Sequence, residues 1–268
     1  MSNFSNGNAT TARRSKNLAI LALMLALTIF FCFVPVTFPG GVTLALMIFP
    51  LLIVTQGYDI KMSAILAVMM AIVNQIAWYT TKAGQLMAPV WQNPLVCMVP
   101  RIAIGIVSFY MGYGLRKAFL RPKYVISQTG EKRLINQKQL YAKDFAIAAA
   151  STAVGVFTNT ALCGLFAVLC YNGKVLSENT MISIEFILTW FSINFVIEII
   201  SFSLLVPPIV MALRKAGLIP PTVMGKEIIV EDNSEKKDSD NFDAIKSDSA
   251  LNTVLSSAEK TDINQSDN

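Results

Sequence analysis

The chain contains six runs of apolar residues, and each run approaches the length of a membrane-spanning helix. A hydrocarbon core of about 30 Å requires about 20 residues of helix. The composition agrees, because 54% of the residues are hydrophobic, 15% are charged and the mean hydropathy is +0.53. The sequence therefore predicts an all-α integral membrane protein, a bundle of six transmembrane helices. The predicted spans cover residues 17–35, 42–56, 60–79, 94–115, 144–171 and 183–213.

The first two runs are the least regular. The first follows Arg13, Arg14 and Lys16 and has the layout of a secretory signal peptide, but five further spans favour an uncleaved helix. The second is short, and Pro50 interrupts it. We count both as spans.

Lysine and arginine are concentrated on alternate connections. They precede span one, follow span six and fill the segment between spans four and five. The other side of the bundle holds few: none in 36–41, Lys82 in 80–93 and Lys174 in 172–182. Because basic connections stay inside the cell, we expect a multi-pass protein of the cell membrane with both termini cytoplasmic.

The chain divides into three parts. Residues 1–16 form a short basic cytoplasmic N-terminus, residues 17–215 form the membrane domain with a cytoplasmic loop at 116–143, and residues 216–268 form a cytoplasmic tail. Residues 1–226 carry 18 Lys and Arg against 6 Asp and Glu, whereas residues 227–268 carry 4 against 11. An acidic segment with so little apolar surface is predicted to be disordered.

The composition excludes several kinds of chemistry. There is no histidine, which removes His-based acid–base catalysis and most zinc sites. There is no GxxxxGK[ST] loop for nucleotide hydrolysis. We expect no enzyme activity, no cofactor or metal and no nucleic-acid partner. The four cysteines lie in apolar runs and are interpreted as small apolar residues: Cys32, Cys97, Cys163 and Cys170.

Arg101 lies inside the fourth apolar run, about 10 Å below its start if the helix begins near Pro94. Its neighbours on the same helix face are Gly105, Ser108 and Gly112, a small-residue face that favours helix packing over lipid contact. The alternative is an arginine that extends to lipid headgroups. We interpret Arg101 as an interior charge suited to a small organic anion.

Glu198 is the second charged residue deep in a predicted span, and Asn194 lies one turn before it. Other spans also carry polar groups towards their outer halves. Each could simply hold helices together, and Glu198 could pair with Arg101. Together they predict an outward-facing pocket, with these candidate substrate-binding residues: Arg101, Asn74, Trp78, Asn93, Asn159, Asn194 and Glu198.

The first span carries alanines along one face. Ala19, Ala22 and Ala26 share that face, and Ala22 and Ala26 are four residues apart. Small residues with this spacing allow close approach of a second helix. We therefore expect a flat groove that accepts a helix of another membrane protein.

These motifs resemble the substrate-binding S components of energy-coupling factor (ECF) transporters, which import vitamins, and within them the pantothenate-type members. The resemblance spans about residues 17–215. It is carried by NPLVCMVPRIAIGIV (93–107), TNTALCGL (158–165), NFVIE (194–198) and the alanine pair of span one.

The resemblance implies vitamin capture by this chain and delivery with a membrane T protein and two cytoplasmic ATPases, which accounts for the missing nucleotide loop. Arg101 would hold the substrate carboxylate, and Asn159, Asn194 and Glu198 would shape the pocket. The alanine face would dock on the T protein, and residues 36–42 and 80–93 would close over the substrate.

Two other classes remain as alternatives. A stand-alone secondary transporter would use Glu198 as a proton or ion site. An intramembrane enzyme lacks support, because the chain has no GxSxG elbow, no histidine and no paired aspartates. Among vitamins, pantothenate fits Arg101 best, and folate remains open because Glu198 could bond a pterin edge.

Overall fold

The computed structural model of the protein consists mainly of helices. The helices are α1 (Asn3–Phe33), α2 (Ile48–Gly57), α3 (Ile60–Thr80), α4 (Ala88–Trp91), α5 (Pro94–Phe119), α6 (Gln137–Tyr171) and α7 (Ile184–Lys215). The strands are β1 (Val36–Thr37), β2 (Thr43–Leu44), β3 (Lys123–Ile126), β4 (Lys132–Leu134), β5 (Val175–Ser177), β6 (Thr180–Met181) and β7 (Ile228–Glu231). The structure describes residues 3–34, 36–37, 43–83, 85, 87–126, 132–177, 180–181, 183–220 and 225–231.

The long helices have the surface of membrane spans. In the described part of the chain, five helices are long and apolar enough to cross a bilayer: α1, α3, α5, α6 and α7. Large apolar side chains cover their outer faces, with Leu18, Phe157, Leu169, Leu188 and Leu204 all more than half exposed. Such a surface is stable in lipid rather than in water. The chain is therefore a multi-pass membrane protein.

The second predicted span differs most from the structure. It is the ten-residue helix α2, which rises about 15 Å and so crosses only half of a hydrocarbon core. Pro50 lies in its first turn, where a missing N–H is tolerated. Leu44 and Met47, which precede the helix, are already buried. The prediction of six transmembrane helices is thus not confirmed: the described residues form five long helices and one buried helix of half length.

The small-residue face of α5 provides the closest helix packing. A Cβ atom added to Gly105 would lie 2.7 Å from the Cβ atom of Ala67 on α3, and the Ser63 hydroxyl donates to the Gly105 carbonyl at 2.8 Å. On α6, a Cβ atom at Gly155 would lie 3.0 Å from that of Ser108. The prediction that this face packs against helices is confirmed.

A buried polar network joins four helices at the end of the bundle where α5 and α7 end. Arg116 Nε donates to Asp144 Oδ1 at 2.8 Å, and Arg214 also pairs with Asp144. Arg116 Nη2 donates to Gln56 Oε1 at 2.7 Å, and Gln56 Nε2 donates to Ser151 Oγ at 2.7 Å. We name these residues, Gln56, Arg116, Asp144, Ser151 and Arg214, the ionic network.

A second compact unit contains the described residues of 122–137 and 227–231. Its described part is a three-stranded sheet in which β3 pairs antiparallel with β4 and parallel with β7. The sequence of β7 (IIVE) is rich in β-branched residues, which favours a strand where the sequence analysis expected disorder. The rest of the predicted disordered tail, 232–268, lies outside the described residues.

The ionic network generates a stability prediction. Asp144→Asn leaves Arg116 and Arg214 without their counter-ion, and breaking a buried pair in this way costs about 3–5 kcal/mol. We expect a corresponding loss in the free energy of unfolding of the purified protein in detergent. The control Asp59→Asn changes an exposed aspartate at the N-cap of α3 and should cost less than about 0.5 kcal/mol. Equal stability of the two variants would contradict a structural role for the network.

Candidate ligand-binding site

A cavity of about 170 Å³ lies where α3, α5, α6 and α7 meet residues 44–47. A cavity of this volume has room for several waters or for a small organic molecule. Its described lining is partly aromatic and partly polar. The lining residues are Phe31, Leu44, Ala45, Met47, Asn74, Trp78, Lys82, Gln85, Met87, Trp91, Arg101, Asn159, Thr160, Phe191, Asn194 and Glu198.

Arg101 is 4% exposed and is held in the cavity wall from several sides. Nη1 donates to the carbonyl oxygen of Cys97, one helical turn earlier. A guanidinium offers only donors, so the amide oxygen of Asn74 faces it and accepts from Nε and Nη2, both at 3.0 Å. These bonds use three of the five N–H groups, and the guanidinium also interacts with the side chain of Cys163. The N–H groups that these three bonds leave over could donate to a carboxylate in the cavity.

Three aromatic rings form one wall of the cavity. Trp78 and Trp91 stack at a centroid distance of 5.7 Å, and Phe191 lies 5.8 Å from Trp91. The Arg101 Cζ atom lies 5.4 Å from the centroid of Trp91, a cation–π contact. The indole Nε1 of Trp78 is buried and has no acceptor among the described residues. The wall thus offers apolar surface and one spare donor.

Glu198 is 6% exposed and faces the same cavity from α7. Its Oε1 accepts a hydrogen bond from the backbone N–H of Ala45 at 3.2 Å. Ala45 lies three residues before α2, so the carboxylate is near the positive end of that helix. Glu198 and Arg101 form no ion pair within 4.0 Å, although both are described. The structure therefore does not contain the direct Arg101–Glu198 ion pair that the sequence left as an alternative.

The remaining polar wall comes from α6 and α7. Asn159 is 7% exposed, and its Oδ1 lies 3.8 Å from the thiol of Cys163. Thr160 and Asn194 also line the cavity. Amide and hydroxyl groups on two facing helices can donate to and accept from a ligand, which gives the site directional selectivity.

The structure brings six of the seven predicted substrate-binding residues to this one cavity: Asn74, Trp78, Arg101, Asn159, Asn194 and Glu198. Asn93 lies elsewhere. It is the N-cap of α5, where its side chain accepts from the N–H of Leu95 at 3.0 Å and Pro94 occupies the first helical position. Its contact with a ligand stays a prediction.

Several lining residues are not among the ligand contacts that the sequence predicts, including Lys82, Trp91 and Phe191. Lys82 contributes to the sequence interpretation only through the predicted orientation. Lys82 is the basic residue of the otherwise uncharged segment 80–93, which was the available signal for it. Trp91 belongs to the four-residue helix α4, which no periodicity reveals.

Comparison with known proteins defines the class of fold. The structure is similar to ThiT from Listeria monocytogenes, with a TM-score of 0.54 and 12% sequence identity over 78% of this chain and 100% of the ThiT chain. No family model matches the sequence, and no curated protein matches it. At this identity the similarity establishes the fold.

Proposed function

We propose that the chain is the substrate-binding S component of an ECF transporter and that it captures a small carboxylate-bearing vitamin of the pantothenate type. Two things support the proposal: the fold shared with ThiT, which is an S component, and the motifs around Arg101, Asn159 and Glu198. Delivery to the cytosol is the task of a separate membrane T protein and two ATPases.

The observation that carries the proposal is the guanidinium of Arg101 in the cavity wall. Burying an arginine in a membrane is costly, and its position on the small-residue face of α5 turns it away from lipid. Asn74 and the Cys97 carbonyl fix its orientation. A carboxylate can then accept two parallel hydrogen bonds without reorganising the site.

The remaining lining suits the rest of a pantothenate-like molecule. Pantothenate carries one carboxylate, one amide and two hydroxyl groups on a branched apolar frame. Asn159, Asn194 and Glu198 supply acceptors and donors for the amide and hydroxyl groups, and the wall of Trp78 and Trp91 supplies apolar surface. Such a division between one charged anchor and several polar contacts is typical of small-molecule sites.

The basic residues support an outward orientation of the pocket. Lys16 lies at the start of the apolar part of α1 (Ser15–Phe33), and Arg116 and Arg214 lie near the ends of α5 and α7, all at the end of the bundle away from the cavity. The positive-inside rule assigns that end to the cytoplasm. The cavity then faces outward, as capture of an external vitamin requires.

The docking surface for the T protein is the alanine face of α1. Ala19, Ala22 and Ala26 are all exposed along this helix. Small exposed residues in lipid allow a second helix to approach closely. We therefore propose this face as the contact with the energising module.

Replacement of Arg101 tests the site. Arg101→Lys keeps the charge but loses the fork geometry, so the affinity for pantothenate should fall about 10- to 100-fold, as for one lost charge-assisted hydrogen bond. Isothermal titration calorimetry on the purified protein measures it. Arg133→Lys, an exposed arginine on β4, is the matched control and should bind as wild type. Wild-type affinity in Arg101→Lys would remove this residue from the site.

A bulky residue on the alanine face tests the docking assignment. Ala22→Trp should leave pantothenate binding unchanged but abolish uptake by cells that contain the complete transporter, because the indole blocks the approaching helix. Ala161→Trp, at an exposed alanine of α6, should affect neither. Co-purification of Ala22→Trp with the T protein at wild-type yield would show that docking occurs elsewhere.

A stand-alone carrier is the second candidate, favoured by one observation: Glu198 is a buried carboxylate that faces the cavity. Liposomes that contain only this chain, with an imposed proton gradient, discriminate the two. The S-component proposal predicts no uptake of pantothenate. Uptake that Glu198→Gln abolishes and Glu185→Gln, at an exposed residue of α7, preserves would establish the carrier instead.

A further inference from the structure

Lys82 is the charged residue of the cavity that the proposed function leaves without a role. It lies two residues after α3 ends at Thr80, and its partly buried side chain lines the cavity. None of the ion pairs among the described residues includes it. Partial burial of an ammonium without a counter-ion is unfavourable, and a cation–π contact offsets only part of the cost.

Lys82 determines the net charge of the cavity lining. Within the described lining, Lys82, Arg101 and Glu198 are the charged residues, and with Glu198 as a carboxylate they sum to +1. Arg101 and Glu198 alone would cancel. A small cavity with few waters favours a ligand that balances its charge. Lys82 therefore provides the excess positive charge that distinguishes an anion site from a site for a neutral molecule.

The two cations lie at the two ends of a tryptophan pair. Lys82 Nζ lies 5.2 Å from the centroid of Trp78, the two indoles are 5.7 Å apart, and Arg101 Cζ lies 5.4 Å from the centroid of Trp91. Burial lowers the pKa of the Lys82 ammonium, and the charge of Arg101 lowers it further, whereas Cys32 acts in the opposite direction. A bound anion would favour the protonated lysine again.

We propose that Lys82 is a ligand-facing residue of the cavity wall whose charge makes the cavity select a monoanion over an uncharged molecule of the same shape. This inference rests on the proposed function, in which Arg101 binds that carboxylate. Arg101 supplies directional hydrogen bonds, and Lys82 supplies the charge that Glu198 would otherwise cancel.

Two ligands that differ only at the carboxylate group test the inference. Pantothenol has a hydroxymethyl group where pantothenate has its carboxylate. Wild-type protein should prefer pantothenate, and Lys82→Met should lower the affinity for pantothenate about 10- to 100-fold while the affinity for pantothenol stays within about twofold. Titration calorimetry with both compounds measures the ratio, and the midpoint of thermal unfolding verifies that the variant is folded.

Two control variants separate charge from packing. Lys82→Arg keeps the charge and should keep the preference for pantothenate. Lys174→Met removes an exposed lysine that lies 4.8 Å above the ring of Tyr171, after α6 and outside the cavity lining, and should bind both compounds as wild type.

The outcomes distinguish failure of the role of Lys82 from failure of the proposed function. An unchanged ratio in Lys82→Met, or an equal loss for both compounds, overturns the role of Lys82 and leaves the proposed function intact. Failure of wild-type protein to bind pantothenate overturns the proposed substrate and, with it, the ligand class assigned to Lys82.

Discussion

The length of α2 determines which part of the bundle interior is filled and which part is open. Its ten residues pack between α1, α3, α5 and α7 next to the ionic network. Before Ile48 the chain runs through β2 and then through residues 45–47, which are neither helix nor strand, and the cavity lies beside them. Backbone groups outside regular secondary structure need hydrogen-bond partners inside a membrane, and the N–H of Ala45 donates to Glu198. The carboxylate therefore supports the fold at the same position where it faces the cavity.

Two groups of buried charges lie in the bundle, and they differ in whether their partners are charged or neutral groups. In the ionic network, Asp144 pairs with both Arg116 and Arg214, so each charged group has an oppositely charged partner within the protein, although the three charges sum to +1. In the cavity, Arg101 and Glu198 are held by neutral amide and backbone groups and do not pair. A membrane protein retains buried charges without counter-ions mainly at functional sites. This contrast separates structural charges from those available to a ligand.

Helical periodicity made part of the site predictable. A spacing of three or four residues placed Gly105, Ser108 and Gly112 on the face of Arg101, and close packing of α5 against α3 and α6 requires that face. Lys82 and Trp91 could not be predicted in the same way, because they lie on or beside connections whose path depends on the tertiary structure. The ionic network could not be predicted for a related reason. Its residues come from four helices, and no local sequence pattern indicates that they lie close together.

In the proposed function, the cavity would combine two kinds of selectivity. Arg101 is immobilised by Asn74 and the Cys97 carbonyl, so little conformational entropy remains to be lost when a carboxylate binds. A ligand without an acceptor there would leave buried N–H groups unpaired, which costs more than the bond itself contributes. Lys82 acts without such directionality, because an ammonium is a compact charge. Selection of ligand shape would thus depend on the helices, and selection of ligand charge would depend on Lys82 in the connection that follows α3.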